Sequence, residues 1–247
     1  DFYLIFTTIT VVLMWLTSKT IKKLNINKRK VMKKIFIGIL FLLGTISYSF
    51  ADLKGGVSLT AGYFETSASE KEGSETSASR SAEGLGAIAS IFVEKEINDS
   101  VSIGLSFAPK AYETETTEHL QSDKTTSATA SSVTNTVQVD FENLITLYAK
   151  SSPNDSGVYG KVGLISVDVN TNESLGTGSK YPDTDMTGVL LAVGIDRDLD
   201  NGAFVRLEGS YMNLGGVTVT SSNNSDNSVT TDDVEGYGAT VSVGKSF

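Results

Sequence analysis

Residues 234–247 read VEGYGATVSVGKSF, and their alternation decides the fold. On an extended strand Tyr237, Ala239, Val241, Val243, Lys245 and Phe247 fall on one side, and Gly236, Gly238, Thr240, Ser242, Gly244 and Ser246 fall on the other. Successive side chains of a strand point to opposite faces. Such a segment therefore meets something oily on one side and something wet or tightly packed on the other.

Working outward from this ending, seven more segments alternate with the same period: approximately 54–65, 82–96, 101–112, 134–150, 158–170, 185–197 and 203–214. The connections after the second, fourth and sixth segments are tight and built from turn formers: Ile97-Asn98-Asp99-Ser100, the stretch 151–157 around Pro153 and Gly157, and Asp198-Leu199-Asp200-Asn201-Gly202. Those after the first, third, fifth and seventh are much longer and rich in Ser, Thr and acidic residues. The first repeats Glu-Thr-Ser-Ala-Ser at 65–69 and 75–79. Such composition buries too little apolar surface to order itself, so these loops are expected to be flexible and in water. With an even number of strands both termini lie on the short-turn side. That pattern predicts an all-β, eight-stranded antiparallel up-and-down barrel with short periplasmic turns and long extracellular loops.

The other end of the chain points to export. Met32 precedes Lys33 and Lys34, an apolar run from Ile35 to Leu43, and small residues Ser49 and Ala51 flanking Phe50. That is the order of a Sec signal peptide, and its apolar core is shorter than the ~20 residues of a spanning helix. Residues 32–51 are expected to be the signal peptide and 52–247 the barrel. Residues 1–31 are expected to be an upstream extension, either translated upstream sequence or an over-extended reading frame with Met32 as the true start, with an inner-membrane anchor over Phe2–Leu16 as the alternative.

From Asp52 onward 12 basic residues face 28 acidic ones, a net charge of −16. Phosphate is repelled by such a surface, so nucleic acid is excluded as a partner. Cysteine is absent, which removes disulfides and thiolate metal sites. A closed ladder of backbone hydrogen bonds is the remaining way to hold an exported chain together.

The two faces have different contents. Val101, Ile103, Leu105 and Phe107, or Val189, Leu191, Val193 and Ile195, make apolar outward faces; Val137, Val139, Phe141, Ile145 and Leu147 make another, interrupted by Asn143. The opposite faces carry Asp140, Glu142, Lys161, Arg206 and Glu208 among small residues. The interior of an eight-stranded barrel is only wide enough to be filled by side chains. These five are therefore expected to form a lumen network of ion pairs, since lone buried charges are costly. Tyr63, Phe64, Phe107, Tyr112, Tyr148, Tyr159, Tyr211 and Tyr237 lie near strand ends and are expected in interfacial girdles.

In architecture the segment 52–247 resembles the small eight-stranded outer-membrane barrels of the OmpA and OmpX type, and the final strand, with Tyr237, Val241, Val243 and Phe247, resembles their assembly signal. The resemblance implies the Gram-negative outer membrane as location. Its expected partners are outer-membrane lipid, lipopolysaccharide, the barrel assembly machinery and periplasmic chaperones, and its expected state is a monomer. Neither a cofactor nor a metal is expected: Asp196, Asp198 and Asp200 before Asn201-Gly202 start like a calcium loop, but the glycine is one place late and the twelfth position is Leu207. His119 beside Glu118, with Ser122 and Asp123, offers the residue types used by lipid A acyltransferase barrels of the PagP type. A Ser- and Thr-rich loop supplies such neighbours by chance, so no catalytic residue is assigned. The expected role is a non-enzymatic barrel that supports the envelope and displays its loops, with a narrow low-conductance channel as the alternative and a lipid A-modifying enzyme as the remote one.

Overall fold

A computed structural model describes residues 53–72, 75–76, 80–114, 117–123, 131–153, 155–175 and 179–247. The expected signal peptide with Ser49 and Ala51, and residues 1–31, lie outside the described residues. Twelve strands follow in chain order: β1 (Leu53–Glu72), β2 (Glu75–Thr76), β3 (Arg80–Asn98), β4 (Val101–Glu113), β5 (Thr117–Asp123), β6 (Ser131–Ser151), β7 (Val158–Leu175), β8 (Thr184–Asp198), β9 (Ala203–Leu214), β10 (Val217–Thr220), β11 (Ser228–Thr231) and β12 (Val234–Ser246). Eight of them close a ring in the order β1-β3-β4-β6-β7-β8-β9-β12. Closure lies on β1, where Val57 stands opposite Ile91 of β3 and Val243 of β12, every pairing being antiparallel.

Short turns join β3 to β4, β6 to β7 and β8 to β9 at one end of the ring. Asn201 and Gly202 take positive φ of 68° and 78° in the last of them, the conformation that Asn and Gly adopt with least strain. The chain terminus sits at this same end, where the Phe247 N–H donates to the Leu53 carbonyl at 2.9 Å.

The outer surface is a belt of exposed aliphatic side chains. Leu59, Leu164, Val193 and Leu207 are 58%, 59%, 60% and 57% accessible, a degree of exposure that water would penalise along a continuous band. Hydrocarbon makes the same surface favourable, and backbone pairing around a ring is one of the two ways a chain satisfies its polar groups there. Tyr237, Val241, Val243 and Phe247 all lie on this outer face. Behind them Ser242 and Thr240 turn inward and share hydroxyl hydrogen bonds with Ser58 (2.8 Å) and Thr60 (2.7 Å) of β1.

Inside, two layers divide the lumen. Toward the short turns lie Glu94, Ser102, Lys150, Asp196, Phe204 and Arg206; toward the long connections lie Ile88, Ala108, Ile165, Val167, Val169, Met186, Leu190, Leu214 and Val234. Aromatic rings in this small barrel fit because glycine stands beside them. A Cβ on Gly104 would fall 2.3 Å from the Tyr148 ring, and one on Gly244 would fall 2.5 Å from the Phe204 ring.

The long connections depart from the sequence expectation. β1 runs for 20 residues, β3 for 19 and β6 for 21, about twice the 9–11 needed to cross a membrane. The seventh connection forms a hairpin of β10 and β11, and β11 pairs on to β1 at Ala68–Lys71. The fifth docks on the seventh, where the Lys180 N–H donates to Ser221 Oγ at 3.1 Å and the Ser222 N–H donates to the Lys180 carbonyl at 2.7 Å, and on β1, where the hydroxyl of buried Tyr181 donates to Glu70. Ser, Thr and Asn-rich segments order here by adding backbone ladder and side-chain hydrogen bonds to strands already fixed below, which the composition rule for an isolated segment does not count.

One seam of the ring is incomplete. The β3–β4 ladder ends at Ile91 and Phe107, although β3 extends back to Arg80 and β4 forward to Glu113. Beyond that point β3 stays paired with β1, while β4 and β5 follow β6.

Candidate functional site

The chemistry of this molecule is concentrated where β3, β6, β7, β8 and β9 face one another inside the ring. Alternation on β9 sends Phe204, Arg206 and Glu208 inward. The Arg206 guanidinium donates to both Glu94 carboxylate oxygens, Nη1 at 2.6 Å and Nη2 at 3.0 Å, and Nη2 also reaches Asp196 Oδ2 at 2.8 Å. Lys150 Nζ lies 3.0 Å from the same Asp196 oxygen and 3.4 Å from Glu94 Oε2. The Tyr148 hydroxyl donates to Glu94 at 2.9 Å. Beside this group Glu208 accepts from Lys161 Nζ at 2.6 Å and from the Tyr159 hydroxyl at 2.8 Å.

Three carboxylates meet three cations here, so the cluster carries no net charge. Glu94, Lys150 and Arg206 are 1%, 2% and 3% exposed, which makes pairing obligatory: removing a charge from water costs several kcal/mol unless a partner and hydrogen bonds replace the solvent. Aromatic faces complete the shell. The Arg206 guanidinium carbon lies 5.4 Å from the Phe92 ring centre, 5.2 Å from Tyr159 and 5.3 Å from Phe204, while Lys150 sits 4.9 Å over Tyr159 and Lys161 4.9 Å over Tyr148. Ring quadrupoles attract cations at such distances.

Of the five residues predicted for the lumen network, the structure brings Lys161, Arg206 and Glu208 together. Asp140 and Glu142 are elsewhere, and this is a correction. Asn143 takes φ of 52°, and the β6–β7 register shifts between Glu142 and Ile145. Val139, Phe141 and Leu144 all pack on the interior cluster, so the phase of alternation changes between 141 and 144. A bulge of this kind sends every side chain beyond it to the other face. Val139 and Phe141, expected outside, are therefore inside. Asp140 and Glu142 stand on the outer face near the long-connection end, where they accept hydrogen bonds from Asn172 (2.7 Å) and Asn170 (2.9 Å) of β7.

Glu94, Asp196, Lys150, Tyr148 and Tyr159 complete the cluster without having been assigned to the lumen network from the sequence. Lys150 shares the inward phase of Tyr148 by plain alternation but stands at the strand's end, and Glu94 lies within a charged run near a strand end; both positions read as rim. Asp196 alternates with Gly194 and Leu190 and points inward, away from exposed Asp198 and Asp200, so these three aspartates do not share one site. The girdle expectation is corrected too. Tyr148 and Tyr159 are buried in the cluster, and Phe64 packs on Tyr112 inside the ring at 5.9 Å. Tyr63, Tyr237 and Tyr211 instead form an outward cross-strand row. The side chains of His119, Ser122 and Asp123 lie outside the described residues. Among the described residues, no group of His, Cys, Asp or Glu side chains is arranged to hold a metal ion.

A closed antiparallel ring with an apolar exterior and a polar cluster sealed within defines an integral outer-membrane β-barrel. The chain belongs to the outer membrane protein beta-barrel domain family, whose match spans residues 37–247. Among solved structures it is similar to the outer membrane protein AlkL in lipid bilayers, with 14% identity, a TM-score of 0.54, and coverage of 82% of this chain and 93% of that one. It is also similar to the outer membrane protease OmpT of Escherichia coli (11% identity, TM-score 0.45, 82% and 99% covered) and to OprG of Pseudomonas aeruginosa (14%, 0.44, 79% and 98%). The likeness to AlkL is one of fold. Curated proteins give no match.

Proposed function

We propose that this chain is a non-enzymatic, axially sealed outer-membrane barrel that stiffens the envelope and holds up an ordered platform of strand extensions outside the cell. The observation that supports it is the neutral cluster of Glu94, Asp196, Glu208, Lys150, Lys161 and Arg206 across the lumen, with a layer of apolar side chains stacked on it. Each charge has a partner, so an ion entering the axis has to break a pair before it gains one. The body acts as a monomer in lipid and lipopolysaccharide, and the acidic extensions repel nucleic acid. Planar-bilayer recordings of purified barrel test the seal: a flat baseline is expected, and unitary steps in the unmodified protein would replace this reading with a narrow channel. His119→Ala leaves the lipid A mass spectrum unchanged on this reading, and a lost acylated species would sink it.

A further inference from the structure

The seam between β3 and β4 runs beside lipid. Up to Ile91 and Phe107 the wall is held by a ladder; above them none joins the two strands among the described residues. Pro109 stands at the second missing pair, opposite Ala89, where its ring nitrogen has no proton to donate. The register then shifts between Lys110 and Tyr112 as β4 turns away with β6. Open sheet edges do not persist in hydrocarbon unless something covers them.

What covers this one from the inside is a side chain. A Cβ on Gly84 would lie 2.3 Å from the Tyr112 hydroxyl oxygen, and one on Gly86 would lie 2.6 Å from its ring. The ring thus starts on β4 and lies over the two bare positions of β3, backed by Phe64. A cleft of about 250 Å³ opens in the wall here, lined by Gly86, Ala87, Ala111, Tyr112 and Phe141 and by the charged side chains of its mouth, Lys110, Glu113, Asp140 and Glu142.

We propose that this seam is a lateral port, with Tyr112 as its gate, through which the upper lumen accepts an acyl chain of a membrane lipid. The chemistry selects that occupant. The β3 edge presents Leu85, Ala87 and Ala89 outward, continuous with the lipid-facing belt, and Leu85 is 80% exposed. Behind the gate Ile88, Ala108, Ala111, Phe141 and Leu144 supply no hydrogen-bonding side chain, so a polar ligand would lose its hydration for nothing. The charged mouth keeps a headgroup at the interface while the chain enters. The port enters above the charge cluster, so it requires no axial opening.

Photolabelling in vesicles of phosphatidylcholine bearing an acyl-chain diazirine tests this. In the unmodified barrel, label is expected on Phe64 and Phe141 as well as on outward Leu164 and Leu207. Ala89→Cys with Pro109→Cys bridges the second missing pair in a chain without cysteine; its oxidised form is expected to lose interior label and keep exterior label, and reduction restores it. Tyr112→Ala, which needs no disulfide, raises the interior-to-exterior ratio at least threefold. Label confined to exterior residues in both the unmodified barrel and Tyr112→Ala would overturn the port, as would interior label that oxidation leaves untouched.

Discussion

Arg206 and Glu94, 112 residues apart in the chain, grip each other through two parallel hydrogen bonds inside a wall of hydrocarbon-facing strands. Arg206→Ala leaves Glu94, Asp196 and Glu208 facing only two lysines. A loss of about 3–5 kcal/mol is expected from breaking a buried pair. Arg206→Met combined with Glu94→Leu removes both charges and costs less than the single change. Urea unfolding in micelles, followed by gel mobility without heating, reads the difference.

Gly104 and Gly160 give a paired test of interior packing. Gly104→Ala drives a methyl into the Tyr148 ring and moves its hydroxyl off Glu94, at about 1–3 kcal/mol for overpacking. A Cβ on Gly160 meets no atom within 4 Å, so Gly160→Ala is neutral within about 0.5 kcal/mol. Equal costs at both positions would contradict the inward placement of Tyr148.

Asn143 sets the phase of β6. Both Asn143→Gly and Asn143→Val lose the hydrogen bond from Nδ2 to Asp168 Oδ2 at 3.0 Å, so their difference reports the backbone. Glycine accepts φ of 52° freely, whereas a β-branched side chain is strained there by about 1–3 kcal/mol. Val is therefore the more damaging change, measured as urea midpoint.

The outer belt gives a test that separates the two faces of one strand. Val193 is 60% accessible on β8, between Asp185 and Asp198 near the strand's two ends. Val193→Arg is expected to cost about 2–4 kcal/mol if that level is the bilayer midplane. Folding into vesicles of increasing chain length makes the penalty grow, and a penalty independent of thickness would argue against lipid contact.

Period-two alternation was enough to place the ring strands, because a strand in a barrel wall has one face in lipid and one in the lumen whatever its neighbours do. The alternation of tight and long connections added the strand order. The last strand was the clearest: Tyr237, Val241, Val243 and Phe247 lie outside and Thr240 and Ser242 inside, as its pattern states. The site was legible only in part. Arg206, Glu208 and Lys161 lie on strands whose phase is unbroken, whereas Asp140 and Glu142 lie on β6 before Asn143, where the phase shifts.

The sequence by itself determined a barrel, its strand count and its lipid-facing side, since these follow from local periodicity and turn chemistry. Only the tertiary structure decided which charges meet, that the long connections build onto the rim, and that β4 parts from β3 above Phe107. Each of those depends on register between strands distant in the chain, and register is a property of the closed ring that no single segment carries.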